Sequence, residues 1–373
     1  MAGLTRRSFL AAGFSAMAAA SVRADVQGPP GPYYPTLAAL KDSLADYGVG
    51  WFDRRALAKL ARPTTMFTSK AMSDSAIAIG KTKIGGAPDV TPQFGWPMRG
   101  VSSAGLGEVK ILRQLAQEHP EYRLDDEIAR KQAVASRPAP LAFLMQIDLA
   151  EAAKAGPMDP DIPQNGRLLL FFDFVFLPWF GEQQDEKSFR LIYLEDGVDP
   201  LQRPPTPDLG LSLGGEMPTG DAPQTDAERL QAQQLPPARL TPVFSYTLPG
   251  GGTYPMMTRW PWPDVAPHQA WLDAQTALAE AGSQLFGWPE YVQSDPGIDL
   301  GADDAHVSLP HNSLFIPTIR TMPGPITNWI PLVSVLGYDN DFIDFNGGYY
   351  VMIRRTDLRR RDFSKAVIVY QTD

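Results

Sequence analysis

Few residues of this chain have the types and spacing that catalysis needs, and none of them is a cysteine. Ser212 lies in Gly-Leu-Ser-Leu-Gly at residues 210–214, which matches the nucleophile elbow of hydrolases. That motif needs a strand before the serine and a helix after it, whereas prolines and glycines flank Ser212. The four histidines contain no pair at the i, i+4 spacing used by zinc proteases. The sequence therefore identifies no catalytic nucleophile or base.

Two acidic segments, residues 295–304 and 339–346, have the composition of cation-binding loops. Carboxylates at alternate loop positions can converge on calcium. Neither segment has the order of an EF-hand loop, and Asp or Asn before Gly is also ordinary in hairpin turns. We therefore expect no metal and no cofactor. The second segment supplies the alternative metal ligands, which are Asp339, Asp341 and Asp344.

Ligand contact is predicted around two tryptophans that precede prolines. The tetrapeptide Phe-Gly-Trp-Pro occurs at residues 94–97 and again at residues 286–289. Such a tryptophan either packs within an extended turn or offers a stacking surface. Polar residues on an apolar strand likewise either bond to a neighbouring backbone or face a cleft. The candidate ligand-binding residues are Trp96, Gln146, Asp148, Trp288, Gln293 and Asp295.

Hydrophobic periodicity predicts the elements that would position these residues. Apolar residues at three- and four-residue spacing predict helices at 37–47, 106–115 and 271–278. Apolar runs bounded by turn residues predict strands at 141–147, 167–176, 189–195, 331–336, 348–353 and 366–370. Strands mixed with flanking helices favour the α+β class with mixed or antiparallel sheets.

The repeated tetrapeptide also suggests an internal duplication. Each copy is followed by an apolar strand, a strand opened by glycine and a third strand. This order predicts two related β-rich halves, at about 81–199 and 243–373, separated by a proline-rich surface excursion at about 200–242. Residues 25–80 would form a leader with helices ahead of them.

The N-terminus has the pattern of an export signal. Arg6 and Arg7 precede an apolar run from Leu10 to Val22, which is shorter than the roughly 20 residues that span a bilayer. Ala24 supplies a small residue at the expected cleavage site. Paired arginines before such a run are typical of twin-arginine (Tat) export. We predict a signal peptide at residues 1–24 and a periplasmic mature protein; a disordered basic start to a cytosolic protein is the alternative.

The net charge argues against a nucleic-acid partner. The chain carries −9 at pH 7, and the predicted signal holds three arginines and no acid, so the mature chain carries −9 − 3 = −12. Such a charge repels phosphate backbones. No stretch of the mature sequence approaches membrane-spanning length, so we expect no stable membrane insertion after cleavage of the signal.

The residues from 81 onward also resemble a known family. Thr82-Lys83-Ile84-Gly85-Gly86-Ala87-Pro88, the segments 141–149 and 166–172, and the C-terminal segment 344–363 resemble, in that order, the motifs of the YwqG-like proteins, also called the DUF1963 family. The family motif has serine where Thr82 stands, and a second-half glutamine is missing from residues 332–336. The resemblance implies an α+β fold and no particular reaction.

Two functions agree with these patterns. We expect a soluble, exported, non-catalytic binding protein of the bacterial cell envelope, with an unknown envelope protein or ligand as its partner, because two related halves commonly meet along a groove and grooves hold ligands. The alternative is an envelope-directed hydrolase that uses carboxylates in the cleft between the halves. That alternative lacks a recognisable nucleophile and base, and a fold does not by itself decide between the two.

Overall fold

The computed structural model describes residues 33–46, 49–178, 183, 187–197, 199–213, 232–259, 283–310, 314–336 and 347–372. The chain divides into two compact units, Met1–Pro30 and Gly31–Asp373, and the described residues all belong to the second unit. Three sequence predictions lie outside the described residues: the export signal with Arg6 and Arg7, the helix at 271–278, and the metal candidates Asp339, Asp341 and Asp344.

An antiparallel sheet dominates the fold. In chain order the strands are β1 (Arg62–Ala71), β2 (Lys83–Ile84), β3 (Met98–Arg99), β4 (Ala139–Pro140), β5 (Ala142–Asp148), β6 (Arg167–Phe172), β7 (Phe189–Leu194), β8 (Ala238–Thr247), β9 (Gln284–Phe286), β10 (Trp329–Leu336), β11 (Gly347–Arg354) and β12 (Val367–Thr372). Ten of them form one sheet in the order β12-β11-β10-β9-β1-β8-β2-β5-β6-β7, and β3 pairs with β4. All of these strand pairs are antiparallel.

Helices flank this sheet, so the predicted α+β class is confirmed. They are α1 (Leu37–Asp46), α2 (Trp51–Ala58), α3 (Ser103–Glu118), α4 (Asp125–Ala135), α5 (Leu149–Ala155), α6 (Tyr254–Arg259), α7 (Pro296–Asp304), α8 (Phe315–Arg320), α9 (Pro323–Asn328) and α10 (Arg355–Arg359). The predicted helices at 37–47 and 106–115 correspond to α1 and α3. The six predicted strands correspond to β5, β6, β7, β10, β11 and β12, although β6 ends at Phe172 rather than at residue 176. No helix within the described ranges is long and apolar enough to span a membrane.

The two ends of the sheet share one hydrophobic core. The ring of Phe172 on β6 lies 6.3 Å from the ring of Tyr349 on β11. Gln183 also bonds to both backbone polar groups of Ile368 on β12, at 2.7 and 3.1 Å. Since β6 and β11 lie far apart in the strand order, the sheet must curl to bring these residues together. Buried side chains of β5, β6, β10 and β11 fill the space it encloses.

Most residues in the described part of the segment 200–242 are exposed or half-buried, but a few of its apolar side chains enter the core. Leu209, Leu211 and Leu235 are buried in the main core, and β8 begins at Ala238. A few apolar side chains between the prolines are enough to anchor the segment, because each of them removes its surface from water. Residues 214–231 lie outside the described part of the chain.

The alternation of strand directions determines which loops share an edge of the sheet. Since every neighbour is antiparallel, β1 and β6 begin at the edge where β5, β9 and β11 end. That edge therefore carries Arg62, the connection that contains residues 156–166, the segment 287–295 and the helix α10. We call it the Arg62 edge.

Candidate functional site

Lys83 of β2 lies in a buried polar network on the outer face of the sheet. Its side chain is completely buried, and its Nζ donates to Asp74 Oδ1 at 2.6 Å and to the carbonyl oxygen of Ala87. Burial lowers the pKa of Lys83, and the hydrogen bond to Asp74 opposes that shift. The lysine is thus held between a carboxylate and a carbonyl group of its own chain.

Gln146 and Asp89 complete this network. Gln146 Oε1 accepts from the Asp89 backbone N–H at 2.8 Å, while its Nε2 donates to Asp89 Oδ2 at 2.8 Å and to the Lys81 carbonyl at 2.7 Å. Arg203 Nε donates to Asp89 Oδ1 at 2.7 Å, and Arg203 Nη1 lies 3.5 Å from Asp74 Oδ1. Two cations and two carboxylates balance one another, so this network fixes the segment before β3 against the sheet.

Asp148 caps the helix that follows β5. Its Oδ1 accepts from two backbone N–H groups in the first turn of α5, at 3.0 and 3.4 Å. In that turn Glu151 accepts the Thr82 hydroxyl at 3.0 Å and pairs with Lys81 at 2.9 Å and Arg239 at 2.7 Å. Burial on its own would raise the pKa of Glu151, but these donors outweigh burial and lower it.

Trp96 packs on the outer face of the sheet, away from the Arg62 edge. Its Nε1 donates to the Leu141 carbonyl at 2.9 Å, and its ring meets Phe171 of β6 edge-on at 5.5 Å. The small apolar cluster around it also contains Phe143 and Leu169. The first copy of the tetrapeptide thus supplies an aromatic cover for strands β5 and β6.

Trp288 lies at the Arg62 edge, just after β9. It is buried, its backbone N–H donates to Thr247 Oγ1 at 2.7 Å, and its Nε1 donates to the Leu60 carbonyl at 2.6 Å. The guanidinium carbon of Arg62 lies 3.4 Å from the centre of its ring. This distance places the cation directly on the indole face, where the ring quadrupole attracts it.

Tyr291 and Asp295 lie close to Arg62. Burial raises the pKa of Asp295, and the charge of Arg62 opposes that rise. Burial also raises the pKa of Tyr291 well above its usual value, and the nearby Asp295 carboxylate adds to the shift. Both effects follow from placing ionisable groups where water is largely excluded.

The segment that begins at Asp295 is not a cation-binding loop. Asp295 is the N-cap of α7, with Oδ1 accepting from the Gly297 N–H at 2.9 Å and Oδ2 from the Tyr254 N–H at 3.3 Å. Its carboxylate is used by two backbone donors, which explains why a helix forms here instead of a loop. Within the described ranges, no group of three or more metal-ligating side chains could hold an ion.

Gln293 is exposed, and its neighbourhood is held by β12. Its backbone N–H donates to Gln371 Oε1 at 3.1 Å, and Gln371 Nε2 donates to the Ser294 carbonyl at 2.8 Å. The loop that carries Trp288 and Asp295 is therefore anchored to the last strand of the sheet.

Arg355 lies at the Arg62 edge with two carboxylates. Its Nη1 lies 2.6 Å from both oxygens of Asp159 and 3.1 Å from Asp161 Oδ2. Burial would lower the pKa of Arg355, but these carboxylates raise it. The pKa of Arg62 is lowered, first by burial and also by the positive charge of Arg355. Arg62 and Arg355 therefore interact electrostatically at one edge.

The six residues predicted to bind a ligand occupy three separate places. Gln146 and Asp148 lie near Lys83, Trp96 covers the outer face, and the other three (Trp288, Gln293 and Asp295) lie on one loop. Arg62 and Arg355 were not predicted. Neither belongs to a periodic pattern or to a quoted motif position, and the strand order of the sheet brings them together.

One comparison with known proteins identifies a family for this chain. The model of a domain of unknown function, DUF1963, matches residues 82–372. A search of curated proteins found no match. Since the matched segment covers most of the sequence, the chain belongs to the DUF1963 family.

Proposed function

We propose that the protein is a non-catalytic binding protein of the bacterial cell envelope and that its ligand binds at the Arg62 edge. One observation carries this proposal: the half-buried Arg62 guanidinium lies on Trp288 and donates no hydrogen bond to any residue that the structure describes. A cation with open donors beside an aromatic wall is characteristic of ligand sites, which combine apolar lining with a few convergent polar groups.

The proposal includes two related halves. Strands β2-β5-β6-β7 and β9-β10-β11-β12 each follow one another across the sheet in chain order, and β8 and β1 lie between the two sets. After β2, Gly85 and Gly86 have φ of 66° and 66°; at the end of β9, Phe286 and Gly287 have φ of 59° and 77°. Two consecutive left-handed residues after a strand are uncommon, so their presence at the start of both sets supports a duplication.

When the two halves are aligned in this way, Gly287 corresponds to Gly86 of the first half and not to Gly95. The position of Lys83 is then occupied by Gln284 in the second half, and that of its strand partner Gln146 by Ser334. The buried charges of the first half have no counterpart at these two positions of the second. The halves would thus have diverged, one keeping a structural network and the other the ligand site.

Export by the Tat route, a periplasmic location and a mature chain that begins after residue 24 are parts of the same proposal. Their support is the sequence pattern around Arg6 and Arg7. The central strands β1 and β8 come from distant segments of the chain and must pair before the sheet can form. Export after folding, which the Tat route allows, suits such a chain.

The carboxylates at the Arg62 edge suit binding better than hydrolysis. Asp159 and Asp161 are paired with Arg355, and both oxygens of Asp295 accept backbone hydrogen bonds. A general base needs a free oxygen within reach of the proton that it removes. These three carboxylates thus hold the protein's own groups in place; Glu290 of the same edge, whose pKa burial raises, pairs with no described residue.

The test is a pull-down from periplasmic extract with the folded mature protein, run beside an activity screen on cell-wall and envelope substrates. We expect a partner or ligand that stays bound without conversion. Turnover that disappears when Asp159, Asp161 or Asp295 is changed to Asn would contradict the proposal and support a hydrolase.

A further inference from the structure

Two arginines at the Arg62 edge have hydrogen-bond donors that the described protein does not use. We propose that Arg62 and Arg355 together bind an oxyanion, a carboxylate or phosphate group of the ligand; this inference rests on the proposed binding function of that edge.

Topology brings the two arginines to the same place. Arg62 is the first residue of β1, and Arg355 directly follows Arg354, the last residue of β11. Strands β1, β9, β10 and β11 are consecutive neighbours with alternating directions, so the start of β1 and the end of β11 lie at one edge. Trp288 follows the end of β9 between them. The site is therefore built next to the ends of paired strands, where residues are positioned more precisely than on long loops.

Arg62 keeps its donors available although its guanidinium face is covered. A guanidinium carries five N–H donors, and all of them lie in its plane. Stacking on Trp288 occupies one face of that plane and leaves the N–H donors at its rim uncovered by the ring. Among the residues that the structure describes, no carboxylate forms an ion pair with Arg62 and no acceptor takes a hydrogen bond from it. The tryptophan thus orients a cation whose bonding capacity remains unused.

Arg355 is held by only one of its nitrogens. All three of its hydrogen bonds to Asp159 and Asp161 come from Nη1. Its Nε and Nη2 therefore have three N–H donors without an acceptor in the described part of the chain. The carboxylates fix the direction of the guanidinium, and the remaining donors can meet a ligand. This arrangement allows bidentate recognition, which is the geometry that arginine offers to carboxylates and phosphates.

Asp295 does not supply the missing anion. It lies close enough to Arg62 for each charge to affect the other, yet no ion pair joins these two described residues. Its two oxygens are held by Gly297 and Tyr254 at the start of α7. The backbone donors at the start of α7 thus engage this carboxylate, and it forms no ion pair with Arg62.

Local pairing of the carboxylates, rather than the total charge of the edge, leaves two arginines able to bind an anion. The edge carries three arginines, Arg62, Arg355 and Arg359, and five carboxylates, so the formal sum is 3 − 5 = −2; the carboxylates are those of Asp159, Asp161, Glu290, Asp295 and Asp357. Four of these carboxylates, all except that of Glu290, are already paired or capped, whereas the like charges of Arg62 and Arg355 repel each other. An oxyanion between the arginines would relieve that repulsion.

The experiment is calorimetric titration of the folded mature protein at low ionic strength with three probes: acetate, its neutral isostere acetamide, and inorganic phosphate. We expect saturable binding of acetate or phosphate and none of acetamide. Arg62→Gln should weaken binding about tenfold or more, the loss typical of charge-assisted hydrogen bonds. The matched control is Arg190→Gln, a half-buried arginine bonded to its neighbour's carbonyl and remote from this edge, which should leave affinity unchanged.

The probes also identify the source of the oxyanion. Binding of acetate alone indicates a carboxylate ligand, and binding of phosphate alone indicates a phosphorylated one. If Arg62→Gln fails to fold, Arg62→Lys keeps the charge, removes the planar fork and should still weaken binding. Equal binding of acetamide and acetate, or anion affinity that is unchanged in the folded Arg62 variant, would overturn the inference.

Failure of the inference and failure of the proposed function give different results. A neutral ligand captured equally by the parent protein and by Arg62→Gln refutes oxyanion recognition and leaves a binding protein. A bound anion that is chemically converted refutes the non-catalytic function and leaves oxyanion recognition. No ligand from extract and no response to the three probes would refute both.

Discussion

The guanidinium carbon of Arg62 lies 3.4 Å from the ring centre of Trp288. This contact joins the first residue of β1 to the loop after β9, and the two strands are hydrogen-bonded neighbours. Arg62 precedes residue 82, where the match to the DUF1963 model begins. A strand at the centre of the sheet and one side of the candidate site therefore come from outside the matched segment.

The position of β1 predicts that residues 82–373 cannot fold alone. β1 lies between β8 and β9 and pairs with β8 over all of its 10 residues. Its removal would expose two strand edges and take the buried Met66 and Phe67 from the core. A chain of residues 31–373 should unfold cooperatively, as followed by circular dichroism. Cooperative unfolding of residues 82–373 with similar stability would contradict this account of the fold.

Gly287 is predicted to tolerate no side chain. Its φ is 77°, and a Cβ atom at this position would overlap the Thr64 hydroxyl. Gly287→Ala should lower the free energy of unfolding by about 3 kcal/mol or more, because strain and overlap add. Gly95, the glycine at the same place in the first tetrapeptide, has open space where a Cβ atom would lie and is the matched control. Gly95→Ala should change stability by less than about 0.5 kcal/mol in urea denaturation.

Glu151 should make the protein sensitive to acid. Its folded-state pKa lies below 4.5 because the donors Lys81, Thr82 and Arg239 outweigh burial. Its contribution to stability is thus complete above the unfolded-state pKa and is lost as pH falls through the lower folded-state pKa. At pH 7 the free energy of unfolding of Glu151→Gln should be lower than that of the parent. As the pH falls below 4.5, the free energy of unfolding of the variant should decrease less than that of the parent. Glu121→Gln, at an exposed site, should have the same dependence of stability on pH as the parent. If Glu151→Gln also has the parent's pH dependence, the prediction is wrong.

The export proposal predicts the behaviour of a double variant. Changing Arg6 and Arg7 to Lys should leave the protein in the cytoplasm with its leader uncut, since the Tat route depends on the arginine pair. Cell fractionation and immunoblotting measure this directly. Normal recovery of the processed variant from the periplasm would refute the assignment.

The strands that the sequence predicts are those that bury nearly continuous apolar runs, such as β5 and β10. The two long central strands escaped prediction because each contains a proline and several threonines or serines. Pro242 is tolerated because β2 pairs with β8 only at Ala238 and Arg239. Pro63 is tolerated in the same way, since β9 pairs with β1 only from Thr64 to Met66. In each case the neighbouring strand is too short to reach the proline. The proline's lack of an N–H therefore costs no hydrogen bond of the sheet.

The candidate site was predictable only in part. Trp288 and Asp295 stand out because they belong to a repeated tetrapeptide and an acidic segment. Arg62 and Arg355 do not stand out, since their roles depend on which strand ends share an edge. That information is in the strand order, which no local pattern contains.

The most direct test of the central claim is native mass spectrometry of the protein purified from the periplasm under non-denaturing conditions. We predict a bound anionic ligand of constant mass on the parent protein and on Arg190→Gln, and its loss from the folded Arg62→Gln variant. A parent protein that carries no ligand after incubation with envelope extract, or one that retains it equally after Arg62→Gln, would contradict the account.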